Sequence, residues 1–317
     1  PVFDREGKDI LFYVASRGHH AEIGGRTPGS MPPDSRHIDE EGVLIDNFQL
    51  VDQGRLRERE LEELFTTAPY PTRNFHHNLG DLKAQIAANE KGVQELRKMV
   101  DHYGLGVVIA YMKHVQDNAE ETVRRVIQNL SDGEFEYEMD FGAKVKVAIT
   151  VHPETRSATV DFTGTSRQQD NNFNITHAVA VAAVLYTFRL MVDEDIPLNA
   201  GCLKPLNIIV PEDCMLRPKY PAAVVAGNVE TSQAITDTIL GALKLMGAAQ
   251  GTMNNFTFGN ANYQYYETIC GGAGAGADFD GTDTVHTHMT NTRLTDPEIL
   301  EWRFPVILDS FSIRRRS

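Results

Sequence analysis

Apolar residues recur every three or four positions along two neighbouring stretches of the chain. Leu82, Ile86, Val93, Leu96 and Val100 share one face of a helix over 79–100, and Gly104 follows as a stop. Tyr111, Val115, Ala119, Val126 and Leu130 stripe a second helix that closes at Ser131-Asp132-Gly133, so the spacing predicts a helical hairpin over 78–131. After Gly133 the period drops to two. Phe135, Tyr137 and Met139 alternate with acidic residues, Val145, Val147 and Ile149 continue the alternation, and 157–164 adds a strand after a turn at Pro153-Glu154. This predicts an antiparallel sheet with one face in water. Residues 178–192 read as a largely apolar helix, 206–210 as a buried strand, and 230–246 as a helix with Ile235, Ile239, Leu243 and Met246 on one side. Near the amino end, the apolar run 10–15 reads as a buried strand that delivers the polar cluster 16–20, and the Gly- and Pro-rich stretch 24–47 as a long ordered loop. Strands and helices mix without a βαβ rhythm or an internal repeat. The expected fold class is α+β, with mixed, mainly antiparallel sheets, packed helices and the helical hairpin.

Composition narrows the partners. With 317 residues, 41% of them apolar, the chain can bury a sizeable core. Its 30 Lys and Arg against 44 Asp and Glu leave a formal charge of −14, which argues against nucleic acid and anionic membrane surfaces. No apolar stretch approaches the roughly 20 residues of a bilayer span. Cys202, Cys214 and Cys270 are odd in number, widely spaced and contain no CxxC pair, which fits a reducing, cytoplasmic setting. The chain opens on Pro1-Val2-Phe3-Asp4 without Met or a leader, so 1–317 reads as an internal fragment of something longer.

The densest chemistry is Ser16-Arg17-Gly18-His19-His20-Ala21-Glu22, two imidazoles and a carboxylate within four positions. Neutral imidazole and carboxylate oxygen suit a divalent Zn, Mn or Fe ion. Adjacent side chains of extended chain point to opposite faces, so the pair divides into one ligand and one substrate-facing group unless the chain turns at Gly18. Hydrogen-bonded structural histidines are the competing reading. His286 and His288 share a face if their segment is extended, before a polar turn-like run that also reads as a structural loop. Gly272, Gly274 and Ala277 fit a loose GxGxxA pattern, but a turn signal follows them where a pyrophosphate-binding helix would have to start. No GxxxxGK[ST] loop and no GxSxG elbow is present.

Taken in order, ASRGHHAEIGG (15–25), NLGDLKAQIAANEKG (78–92), AGNVETSQ (226–233), YYETICGGAGAG (265–276) and HTHMTNTRLTDPEILEWRFPV (286–306) form a series that resembles the hydantoinase B and 5-oxoprolinase family across the whole chain. Within it, the series is most like the hydantoinase B region of ATP-dependent 5-oxoprolinases. That resemblance implies a metal-bearing B region working with an ATP- and Mg-binding hydantoinase A type region on a small cyclic amide. The A region would phosphorylate the lactam oxygen of 5-oxo-L-proline, and the B region would then open the ring to L-glutamate, a step of glutathione metabolism, in a cytoplasmic homo-oligomer. His19 and His20 would bind the metal with an HxxD motif that relatives carry upstream, and Glu22 would ligate or orient. Asn228, Glu267 and His288 would belong to the catalytic pocket. Relatives usually read HHAD where this chain reads HHAE, which leaves the role of Glu22 open. The Gly-rich tail of relatives would follow Arg314-Arg315-Arg316-Ser317. Three other readings stand beside this one: a hydantoinase B subunit acting on hydantoins or related cyclic amides, a related carboxylase, and a non-catalytic scaffold for the A region.

Overall fold

The structure is a computed structural model that describes residues 1–313; the run at 314–317 and whatever follows it lie outside the described residues. At the amino end, β1 (Val2–Phe3) and β2 (Ile10–Phe12) pair as an antiparallel hairpin. The strand expected over 10–15 stops at Phe12 and leaves Ile10 and Tyr13 exposed, because β2 has only β1 beside it and no larger sheet to enter. Residues 24–47 are ordered by single helical turns at Pro28–Ser30 and Ile38–Glu40. A small hairpin of β3 (Val51–Asp52) and β4 (Arg55–Leu56) then leads into α1 (Glu58–Thr66). Only Leu61 and Phe65 of α1 are buried, too few inward positions to announce a helix in the sequence.

The predicted helical hairpin forms from α2 (Phe75–Tyr103) and α3 (Leu105–Ile127). Gly104 joins them at a φ of 84°, a left-handed backbone that glycine adopts without strain. The α2 helix starts earlier than its apolar stripe, because Asn74 caps it by accepting from the His77 amide. Phe75, Asn78 and Leu79 are its buried residues, and nothing beyond Leu79 is buried. On α3, Ala119, Val123 and Ile127 enter the main core, whereas Tyr111, Met112 and Val115 continue the same face outward into solvent. The hairpin is therefore an arm, about 43 Å long at 1.5 Å per residue, rooted in the body at both helix ends and largely bare towards its tip, where Val108 is its one buried side chain.

The alternation after Gly133 builds β5 (Gly133–Glu138), β6 (Lys144–His152) and β7 (Ser157–Asp161), paired antiparallel in that order. Helix α4 (His177–Leu190) lies in the crossover to β8 (Leu206–Ile209), which pairs with β7 in parallel, as a connection of that length allows. Val145, Val147 and Ile149 of β6 face inward and pack in one cluster with Val160, Phe162, Phe188 of α4 and Ile235 and Ile239 of α5 (Ser232–Ala242). A π-turn at Gly227–Thr231 opens α5, and the helix ends four residues short of the expected 246. At Gly227 the chain crosses so close to Asn174 that a Cβ would sit 1.9 Å from its carbonyl oxygen, so no side chain fits there. Strands β9 (Asn255–Gly259) and β10 (Gln264–Thr268) form a hairpin, the short antiparallel pair β11 (Gly272–Ala273) and β12 (Thr282–Asp283) follows it, and α6 (Pro297–Arg303) comes next. The architecture is α+β, with small, mostly antiparallel sheets.

Glu41 ties the loop of residues 24–47 to the body. Its carboxylate accepts from the Val224 and Val225 amides, each at 3.0 Å, and from Ser35 Oγ at 2.8 Å. Burial nevertheless holds its carboxyl above the ordinary range, outweighing the pull of those donors. A raised folded value means that the contribution to stability is full below the ordinary carboxylate value of 4.5 and is lost as pH rises through the folded one. Glu41→Gln is accordingly expected to flatten the fall of melting temperature with rising pH just above pH 4.5. A slope identical to that of the parent protein would show that Glu41 contributes nothing to it.

Candidate functional site

Three pieces of chain meet around an open cleft of about 430 Å³: the irregular segment after β2, the first two turns of α2, and the start of β10. His19 and Glu22 come from the first piece, Asn74, His76, His77, Asn78 and Asp81 from the second, and Gln264 from the third. His19 is exposed, and partial desolvation lowers its pKa, helped by the positive charges of Arg17 and His20. That favours the neutral imidazole, the form that can accept a proton or a metal.

His20 points its Nδ1 at Asp81 Oδ2, 2.8 Å away. A carboxylate on one ring nitrogen fixes the ring and leaves Nε2 as the working atom, the usual arrangement behind a metal-ligating histidine. Asp81 can reach His20 because it follows the Asn74 cap by seven positions, two turns along α2 on the capped side.

Glu22 is used up inside the protein. Its Oε1 accepts from the Gly24 amide at 2.7 Å and from Arg73 Nη1 at 2.8 Å, and its Oε2 accepts from Thr72 Oγ1 at 2.8 Å and the Arg73 amide at 3.1 Å. Asn78 Nδ2 adds a bond to the Glu22 carbonyl at 2.6 Å. Four donors on one buried carboxylate make Glu22 the rivet that holds the His-bearing segment against the start of α2. Of the two roles left open for it, the geometry supports orienting rather than ligating.

The remaining residues singled out in the sequence do not line this cleft. Asn228 is exposed on the π-turn before α5. Glu267 lies on β10, where its Oε2 accepts from Tyr265 Oη at 2.5 Å and from the Thr295 amide at 3.2 Å. Burial, and then that bond, push the Tyr265 phenol up to about 12, so it stays a donor. His288 is enclosed, with Nε2 3.2 Å from Asp237 Oδ1 but off the hydrogen-bond line, and its ring stands edge-on to Tyr186. Sequence reasoning passed over Arg73, Asn74, His76, His77 and Asp81. The signal was Asn74 before a second His-His pair, which is how a capped helix start reads.

His19 lines the cleft, whereas His20 lies beside it and is joined to it through Asp81; both imidazoles have the donor chemistry that a divalent metal takes. Among the described residues no three His, Cys, Asp or Glu side chains gather as a ligand group, so a metal held here would draw further donors from outside residues 1–313.

The family model described as Hydantoinase B/oxoprolinase matches residues 1–317. The chain belongs to the hydantoinase B/oxoprolinase family. It is 47% identical to 5-oxoprolinase 1 of Arabidopsis thaliana, covering all of this chain and 27% of that protein, and 46% identical to 5-oxoprolinase of Dictyostelium discoideum, covering 99% and 25%. The chain thus spans about a quarter of the length of these curated relatives. In structure it resembles the ATP-dependent caprolactamase of Pseudomonas jessenii, with a TM-score of 0.75 at 22% identity over 93% of this chain and 54% of that one. That likeness is one of fold. Among the described residues no helix is long and apolar enough to cross a membrane.

Proposed function

We propose that this region is the ring-opening half of an ATP-dependent 5-oxoprolinase, converting 5-oxo-L-proline to L-glutamate. The observation that carries the reading is an open cleft lined by His19 and by Asp81, the carboxylate that buttresses the adjacent His20, in a chain 47% identical to a plant 5-oxoprolinase. An amide is a poor electrophile, and phosphorylation of its oxygen turns that oxygen into a leaving group. The sequence holds no P-loop, so ATP and Mg belong to a hydantoinase A type region in the rest of a longer protein or in a companion subunit.

In this scheme Asp81 sets the tautomer and direction of the His20 ring, and Glu22 with Arg73 keeps the segment carrying both histidines in register with α2. His20 and His19 would hold a divalent metal, which supplies Lewis-acid charge stabilisation and lowers the pKa of water. Strand β1 runs antiparallel to β2, with Val2 opposite Phe12, so residues preceding Pro1 in a longer protein are directed back along Tyr13 and Val14 towards His19 and His20. Further ligands have a route to the cleft from that side.

The test is turnover by the full-length protein. With ATP, 5-oxo-L-proline is expected to yield glutamate, ADP and phosphate, and N-methylhydantoin to react at least tenfold more slowly. Opening of N-methylhydantoin without opening of 5-oxo-L-proline would replace this reading with that of a hydantoinase.

A further inference from the structure

We infer that His76 and His77 form a subsite for the substrate's carboxylate, so that this cleft selects anionic lactams over neutral ones. The inference rests on the 5-oxoprolinase reading and adds to it the residues that recognise the part of the substrate that does not react.

The charges around the cleft lead to it by subtraction. Its two carboxylates are already matched, Glu22 by Arg73 and Asp81 by His20. The imidazoles of His76 and His77 are exposed and line the same space as His19, and no side-chain hydrogen bond or ion pair to either ring occurs among the described residues. Arg17 adds positive charge beside His19. What the cleft leaves uncommitted is therefore a set of imidazole and amide groups able to donate, with no free anion among them.

The backbone has the same polarity. His76 and His77 occupy the first turn of the 29-residue α2, where the helix dipole is positive and amides lack intrahelical acceptors. Asn74 takes up the His77 amide and leaves the start of the turn to other acceptors. A helix start alone would not identify a ligand. Two uncommitted imidazoles that line one cleft with His19 and with Asp81, the partner of His20, point to an oxyanion carried near the reacting ring, and in an α-carboxylated lactam that oxyanion is the carboxylate.

Distance along the helix separates the two tasks. Asp81 lies four and five positions beyond His77 and His76, about 6 to 7.5 Å up the axis at 1.5 Å per residue. A molecule the size of a five-membered lactam spans such a gap, with its ring beside His19 and Asp81 and its carboxylate at His76 and His77.

The experiment uses the full-length protein with 5-oxo-L-proline and with 2-pyrrolidinone, the same ring without the carboxylate. In the His76→Gln, His77→Gln double variant, the ratio of kcat/KM for 5-oxo-L-proline to that for 2-pyrrolidinone is expected to fall at least tenfold, through a raised KM for the acid. Calorimetric binding of 5-oxo-L-proline without ATP should weaken by a similar factor. An unchanged ratio, or equal losses for both lactams, would overturn the carboxylate subsite and leave the ring-opening reading intact. A parent protein that opens neither lactam would instead remove the reading on which the subsite rests.

Discussion

Glu22→Ala is expected to cost about 3 to 5 kcal/mol of folding stability, the range found when one partner of a buried ion pair is removed. The carboxylate is buried at 3% exposure, and its loss strands the Arg73 guanidinium together with the Gly24 and Arg73 amides and the Thr72 hydroxyl. A buried donor without an acceptor forfeits its desolvation cost, and these share one acceptor site, so the losses do not simply add. Arg73 also reaches the Gly25 carbonyl at 3.2 Å, which keeps it partly placed and argues for the lower end of the range. Glu22→Gln should fall between, because it keeps the volume but turns a donor towards donors. Urea unfolding of the parent and both variants measures this. A Glu22→Ala protein within 1 kcal/mol of the parent would mean that the His-bearing segment is held by something other than this rivet.

His20→Ala in the full-length protein should remove bound metal and lower lactam opening at least a hundredfold, while nucleotide binding persists in the other region. Asp81→Asn tests the buttress separately. Its amide can still meet the ring but without charge, and losses of such partners run to about 10- to 100-fold in metal affinity or activity. His19→Ala decides how the doublet divides its work, since an outward-facing histidine that only contacts substrate would spare the metal. Metal content, melting temperature and nucleotide binding belong on the same samples, because a structural histidine would lower stability and every activity in parallel. Full metal occupancy in both single variants and in the double variant would sink the ligand assignment.

Where a period was long and its face clean, the sequence told the fold. The arm and the antiparallel sheet follow from stripes such as Val93, Leu96 and Val100 or Val145, Val147 and Ile149, which stay amphipathic for several turns or strands. The run at 10–15 misled because an apolar stretch carries no record of whether a neighbouring strand exists to cover it. The helices α1 and α6 are nine and seven residues long, below the length at which a moment can be read. At the site, His19 and His20 were legible as a doublet, but the meaning of each was not. His20 owes its orientation to Asp81, 61 positions later, and Glu22 owes its inertness to Arg73, 51 positions later. Such pairings exist only once α2 has been laid against the segment after β2.

The arm puts the two ends of one helix under different rules. At the cleft end of α2, Phe75 and Leu79 sit in a small apolar cluster with Leu61 and Phe65 of α1, and the Asn78 side chain is bonded to the Glu22 carbonyl. At the far end, Met99 and Tyr103 face water and Val108, just past Gly104, is the only side chain of the arm buried near them. Opening of the amides near Gly104 therefore exposes little that was hidden, whereas opening of the first turn breaches a cluster and a hydrogen-bond network at once. Fraying that starts at the tip would meet only Val108 before it reached the cluster at Leu79. The histidines of the cleft lie at the opposite end of the helix, behind the deeper of its two apolar layers.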